Sequence, residues 1–262
     1  MLEFGLHQGT SLYGRTPQDG LRLIPVAGSP GGTGLQVLWD ICTHLQALGY
    51  PTVVLDGSER ETAEAPGLLE LLDDTLWIDP PTQLPGADSL AVLPAARGLA
   101  ELASRRAGAS QALLALQPLL RRYAVVLLYA PMAVLASPLM EGSSASPLVL
   151  LEDDSKAVIN SYQQLKMLSL HTGLMGTVAR LVHSSEERGV AKQQLRVLCD
   201  CAAKHLGRVP HTLLLDARRP ADMQRLALQL LENAETLCSS GLFAALPSTH
   251  TAQRATPLAT SH

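Results

Sequence analysis

The chain has 262 residues, 47% of them apolar and 17% charged, which is enough to bury one full core and too few for three ordinary domains. With 20 Lys+Arg against 24 Asp+Glu its formal charge is −4, which removes the electrostatic ground for binding nucleic acid or an anionic membrane surface. With 2 Phe, 2 Trp and 5 Tyr, stacking platforms for bases are scarce and the core must be built from Leu, Val and Ala.

Residues 1–20 read as a short arm with turn residues Gly14, Pro17 and Gly20. They carry Glu3 and lack both a basic start and an apolar stretch, so the expectation is a cytoplasmic protein without a secretory signal. From there apolar β-type runs alternate with longer segments of helical period. The runs at 21–27, 52–56 and 90–93 are each followed by helical pattern, at 37–48, at 67–72, and at 98–103 with 111–120. The alternation continues through strands at 125–129, 147–151, 176–182 and 211–215 and helices at 155–170, 187–206 and 221–237. Such a pattern predicts a three-layer α/β/α sandwich with a mostly parallel central sheet. The strands are near-continuous Val/Leu runs, so both sheet faces should be covered by helices. Residues 239–262 form a Ser/Thr/Ala/Pro tail, read as disordered, leaving 21–238 as the domain.

Other chemistry is sparse. The longest apolar run, 125–136, is broken by Tyr129 and Pro131 and falls short of the ~20 residues of a spanning helix. Cys42, Cys199, Cys201 and Cys238 are scattered, and the histidines show no i, i+4 pair, so no metal is expected. The pairs Asp73-Asp74 and Asp153-Asp154 flank helical segments, where acidic residues cap or solvate ends; Ser155 is the candidate N-cap of the helix that follows. No G-x-S-x-G elbow is present.

The first strand runs directly into Gly28-Ser29-Pro30-Gly31-Gly32-Thr33-Gly34, followed by Leu35-Gln36 at the head of a helix. A glycine-rich turn between strand and helix turns backbone N–H groups toward an anion, and is also what any tight turn needs. Placed after the first strand of an alternating pattern, it resembles the loop of the MinD/ParA family of deviant Walker ATPases, K-G-G-x-G-K-[ST]. Gly31, Gly32 and Gly34 match; Pro30 and Leu35 stand at the two lysines and Gln36 at the Ser/Thr. At the family's Asp-x-Asp, Asp56 is kept and Ser58 replaces the second carboxylate. Along the Walker B strand Tyr123 and Pro131 are kept while Tyr129 takes the place of the Mg²⁺-associated Asp, and Arg180 falls at the adenine-side Asn. The resemblance therefore implies a P-loop NTPase-like fold with a vestigial nucleotide site, and no cofactor. Each lost charge-assisted contact is worth about 1.5–3 kcal/mol, so ATP affinity should fall by several kcal/mol.

Three further stretches resemble MinD-like proteins, and the flagellar-number regulators FlhG/FleN in particular. They are Leu93-Pro94-Ala95-Ala96-Arg97-Gly98-Leu99, the segment from Asp154 to Lys166, and Gly207-Arg208-Val209-Pro210. In that branch a D-Q-A-x-x-L-R arm contacts the flagellar GTPase FlhF; here Gln8 and Leu12 match, and with Phe4 they are the candidate partner contacts. The resemblance implies a non-catalytic regulator or scaffold in flagellar assembly, number or placement. It would be a monomer or weak dimer, contacting a protein partner and at most weakly the inner membrane or cell pole. The alternatives are a weak or partner-dependent ATPase of the same family, and a MinD-like accessory of another envelope machine such as cellulose secretion or pilus placement.

Overall fold

The computed structural model describes residues 20–28, 33–75, 90–104 and 109–238. It is a three-layer α/β/α sandwich. The strands are β1 (Leu21–Ala27), β2 (Thr52–Asp56), β3 (Ala91–Pro94), β4 (Val125–Ala130), β5 (Leu148–Leu150), β6 (Thr177–Val182), β7 (His211–Asp216) and β8 (Glu235–Leu237). The helices are α1 (Thr33–Ala47), α2 (Leu68–Leu72), α3 (Ala96–Ser104), α4 (Ala109–Leu114), α5 (Leu116–Leu119), α6 (Met132–Leu135), α7 (Ala157–Thr172), α8 (Glu187–Leu206) and α9 (Pro220–Glu232).

Strand order is β3-β2-β4-β1-β5-β6-β7, parallel throughout, with β8 joining β1 antiparallel. Alternate residues of a strand face opposite sides of the sheet, and both sides are apolar here. Leu23, Val53, Leu55, Val126 and Leu128 pack with the layer containing α2–α8; Ile24, Val26, Val54, Val125 and Leu127 pack with α1 and α9.

Two sequence expectations are corrected. Helical period continues past α9, yet 235–237 is a strand. β5 pairs with β1 only at Val26↔Leu148, which leaves the lower half of that edge open, and Leu21–Leu23 take Glu235–Leu237 instead. The residue preceding α7 is Lys156, not Ser155, and no side chain caps that helix; Asp154 Oδ1 accepts the Lys156 N–H at 2.8 Å in the turn before it.

The exits of β2 and β3 are tied together by a carboxylate from a polar loop. Glu61 is buried, and its two oxygens accept the N–H groups of Arg97 and Gly98 at the start of α3, both at 2.7 Å. That satisfies two of the orphan donors of a helix N-terminus where its dipole favours negative charge. The surrounding turn has no room for side chains: a Cβ on Gly98 would stand 2.6 Å from Leu68 Cγ, and one on Gly67 would stand 2.0 Å from the Pro94 carbonyl oxygen.

Candidate functional site

Ligands of open parallel sheets sit outside the carboxyl ends of the strands. At that edge β2, β4 and β1 lie side by side, with Asp56 opposite Tyr129 and Tyr129 opposite Val26. The first residues beyond β1 and β2 close onto β4: Gly28 N–H donates to the Ala130 carbonyl and Gly57 N–H to the Tyr129 carbonyl, both at 2.7 Å. The sequence-predicted positions 28, 34–36, 56, 58 and 129 thus gather around one end of the sheet. Ser29, Pro30, Gly31 and Gly32 lie outside the described residues, as do Phe4, Gln8 and Leu12 of the arm and the tail at 239–262.

None of the described residues at these positions carries a cationic side chain. Thr33 opens α1 and Gly34 is buried beside it; Leu35 is 53% exposed in the first turn, with Trp39 49% exposed one turn on. The Gln36 amide donates to Asp40 Oδ1 at 3.1 Å, along the helix surface. Asp56 Oδ1 accepts both the Ser58 N–H at 2.9 Å and the Ser58 hydroxyl at 2.6 Å, so the hydroxyl at the second position ties up an oxygen of the first carboxylate in a local turn. Tyr129 is 3% exposed and belongs to the core cluster built by α1 and α9.

Beside this edge a cavity of about 270 Å³ opens between the carboxyl ends of β1 and β5 and the first turns of α7. Its wall includes Ala27, Leu150, Glu152, Ala157, Asn160 and Met167, and no described lining residue is a lysine or arginine. Among the described residues no group of three or more His, Cys, Asp or Glu side chains converges as a metal site, and no described helix is long and apolar enough to cross a membrane. Cys42 is buried in α1, and burial pushes its thiol up to about 12.

Arg180 lies on β6 with its side chain buried and its guanidinium directed to the loop just beyond the carboxyl end of β5. Its side chain is 6% exposed; one guanidinium nitrogen donates to the Leu151 carbonyl at 3.3 Å and another pairs with the exposed Asp153. The pair Asp153-Asp154 therefore divides its work between an ion pair and a turn. Spacing carries no signal for the Arg180–Asp153 pair, because it forms between strand β6 and the loop after β5.

Three carboxylates lie below their ordinary values, each chiefly because a backbone N–H donates to it: Glu70 from Gly67, Glu187 from His183, and Asp216 from Arg218. A carboxyl group depressed in the fold adds stability that is fully present above its unfolded value, about 4, and is lost as pH falls through the lower folded value. The urea midpoint is expected to be level from about pH 7 to 5 and to fall below about pH 4. Glu70→Gln, Glu187→Gln and Asp216→Asn should each make that acid-side fall shallower; a fall of unchanged steepness in all three would refute the assignment.

No protein-family model matches the chain, and no curated protein matches it. Among solved structures it is similar to cobyrinic acid a,c-diamide synthase from Mycobacterium smegmatis, with bound ADP and magnesium, at 16% identity and a TM-score of 0.49 over 82% of this chain and 98% of that one. It is also similar to the MinD cell division protein of Aquifex aeolicus, at 11% identity and a TM-score of 0.43 over 78% of this chain and 86% of that one. Protein DIP2308 from Corynebacterium diphtheriae matches at 12% identity and a TM-score of 0.41, over 81% and 98%.

Proposed function

We propose that the chain is a non-catalytic regulator or scaffold of MinD/FlhG type, serving flagellar assembly, number or placement through protein contacts. The observation that carries the non-catalytic part is the burial of Tyr129 at the end of β4, where the sequence resemblance puts the Mg²⁺-associated Asp of the family. Leu35 at the first turn of α1 and the closed Asp56–Ser58 turn support it, since neither supplies a cation or a free hydroxyl. Triphosphate binding in a site of this kind is positioning plus charge stabilisation, so a scaffold that keeps its turns without the charges keeps a shape and loses the reaction. The flagellar assignment rests on the resemblance of the arm, where Gln8 and Leu12 match the D-Q-A-x-x-L-R pattern; the stretches Leu93–Leu99 and Asp154–Lys166 support the MinD-like type without separating its branches.

Calorimetric titration with ATP and Mg²⁺ tests the reading. The loss of two or more charge-assisted contacts at about 1.5–3 kcal/mol each weakens binding on the order of 10²–10⁴-fold, so no micromolar site is expected. Leu35→Lys alone should not create one. Micromolar binding to the unaltered protein, or steady ATP hydrolysis by it, would overturn the proposal. Deletion of the gene should change flagellar number or position; unaltered motility and flagellation would separate the scaffold role from flagella.

A further inference from the structure

Three arginines converge on one carboxylate at the far end of the same sheet edge. Asp216 ends β7 and its side chain is 8% exposed. Its Oδ1 accepts the Arg218 N–H at 3.1 Å and lies 3.4 Å from Arg218 Nε; its Oδ2 lies 3.6 Å from an Arg188 guanidinium nitrogen and 3.5 Å from Arg219 Nε. Arg188 comes from the first turn of α8, whereas Arg218 and Arg219 come from the turn between β7 and α9. One buried negative charge thus gathers three positive ones from two separate elements.

Set against Asp216 and the neighbouring Glu187 carboxylate, whose own partners are the neutral His183 N–H and Ser184 hydroxyl, the three arginines leave an excess of one positive charge on a chain whose net charge is −4. Each guanidinium has five N–H donors, and none of the three makes a close two-point contact with Asp216. The side chains are 37%, 64% and 68% exposed for Arg188, Arg218 and Arg219, so the unused donors face water. Neighbouring carboxylates are already engaged: Asp222 accepts the Asp216 N–H at 2.9 Å and pairs with Arg225, and Glu187 accepts from the His183 N–H and the Ser184 hydroxyl. The turn carrying Arg218 and Arg219 is therefore held from both of its ends.

We propose that Arg188, Arg218 and Arg219 form a binding site for a phosphoryl group, carried by a free phosphate-bearing small molecule or by a lipid headgroup. A phosphoryl group offers three or more acceptor oxygens to guanidiniums already brought within reach of one another, and arginine forks match that geometry. The site lies at the carboxyl ends of the strands, as ligand sites of such sheets do. It is distinct from the glycine loop: β7 is three strands from β1, roughly 14 Å at the usual strand spacing. It does not depend on whether that loop binds nucleotide.

Inorganic pyrophosphate is the first probe, titrated calorimetrically into the full chain at low and high salt. Vesicles of phosphatidylcholine with and without phosphatidic acid, whose headgroup is a phosphomonoester, are the second, read by flotation. The unaltered protein is expected to bind pyrophosphate in a salt-sensitive manner, and Arg218→Ala/Arg219→Ala to lose about tenfold or more in affinity. Arg188→Gln, on the other element, gives an independent reading and should weaken binding as well; an unaltered far-ultraviolet circular dichroism spectrum and a cooperative denaturation transition certify both folds, the midpoint itself falling because Asp216 loses cationic partners. Pyrophosphate binding without flotation identifies a free ligand; flotation that needs phosphatidic acid and is lost in the variants identifies a headgroup. Binding of neither probe overturns the proposal, as does binding that the arginine variants leave undiminished.

Discussion

Glu61→Ala is expected to lower stability by about 3–5 kcal/mol, with Glu61→Gln falling between it and the unaltered protein. The carboxylate is buried, and each oxygen accepts one backbone N–H at the head of α3. Hydrogen bonds to a charged acceptor contribute about 1.5–3 kcal/mol each, and removing the acceptor leaves two enclosed donors without a partner. Water cannot readily replace it, because Gly67 and Gly98 are pressed so closely onto Pro94 and Leu68 that not even a methyl group fits. The glutamine side chain retains one acceptor oxygen and brings an NH₂ toward the second N–H, so it recovers part of the loss. Urea denaturation gives the answer: the midpoint should drop with an unchanged slope. A loss below about 1 kcal/mol for the alanine variant would mean that the turn relaxes and that Glu61 does not hold it.

The sheet was legible in the sequence because its strands are buried on both faces. Runs such as 21–27 and 125–130 are apolar without alternation, and the long helices 157–172 and 187–206 carry a period that no strand would tolerate. What was not legible depends on partners far along the chain. Glu235-Thr236-Leu237 has no strand signature of its own; it becomes one because β5 leaves half of one β1 edge unpaired. The short α6 lies within an apolar run that continues from β4, where local pattern does not separate strand from helix. Glu61 sits in Glu59-Arg60-Glu61-Thr62, which reads as a solvated loop, and its donors are 36 and 37 positions away.

The candidate site was legible as a place and less so as chemistry. Strand-to-helix order located positions 28, 34–36, 56, 58 and 129 at one sheet edge, because the first residue after a parallel strand always emerges there. The residue types told which side chains stand at those positions, but not what those side chains contact. Ser58 turns its hydroxyl back onto Asp56, and the buried Arg180 reaches the exposed Asp153 of the loop after β5; both are contacts of a particular backbone path. The Arg188–Asp216–Arg218–Arg219 cluster was invisible for the same reason, since α8 and the turn after β7 are brought together only by the pairing of β6 with β7.

Tyr129→Asp, which would place a carboxylate at the end of β4, is expected to cost about 5 kcal/mol or more, a large part of the 5–15 kcal/mol by which a domain is stable. Two effects add. Truncating a buried aromatic ring costs about 3–5 kcal/mol, and the new carboxyl would be enclosed at a position 3% exposed, against apolar side chains of the α1/α9 cluster. Burial raises a carboxyl group, so that part of the penalty is greatest at neutral pH and eases as pH falls toward the unfolded value of about 4. The loss from Tyr129→Asp should therefore shrink on acidification, measured against Tyr129→Ala as the reference for lost volume. Tyr129→Phe, which keeps the ring, should cost no more than about 1.5 kcal/mol. If Tyr129→Asp were tolerated with little loss, the end of β4 would be an open site awaiting a metal ligand. If instead the fold gives way, the tyrosine is core, and the end of β4 serves packing that no single substitution converts into a carboxylate site.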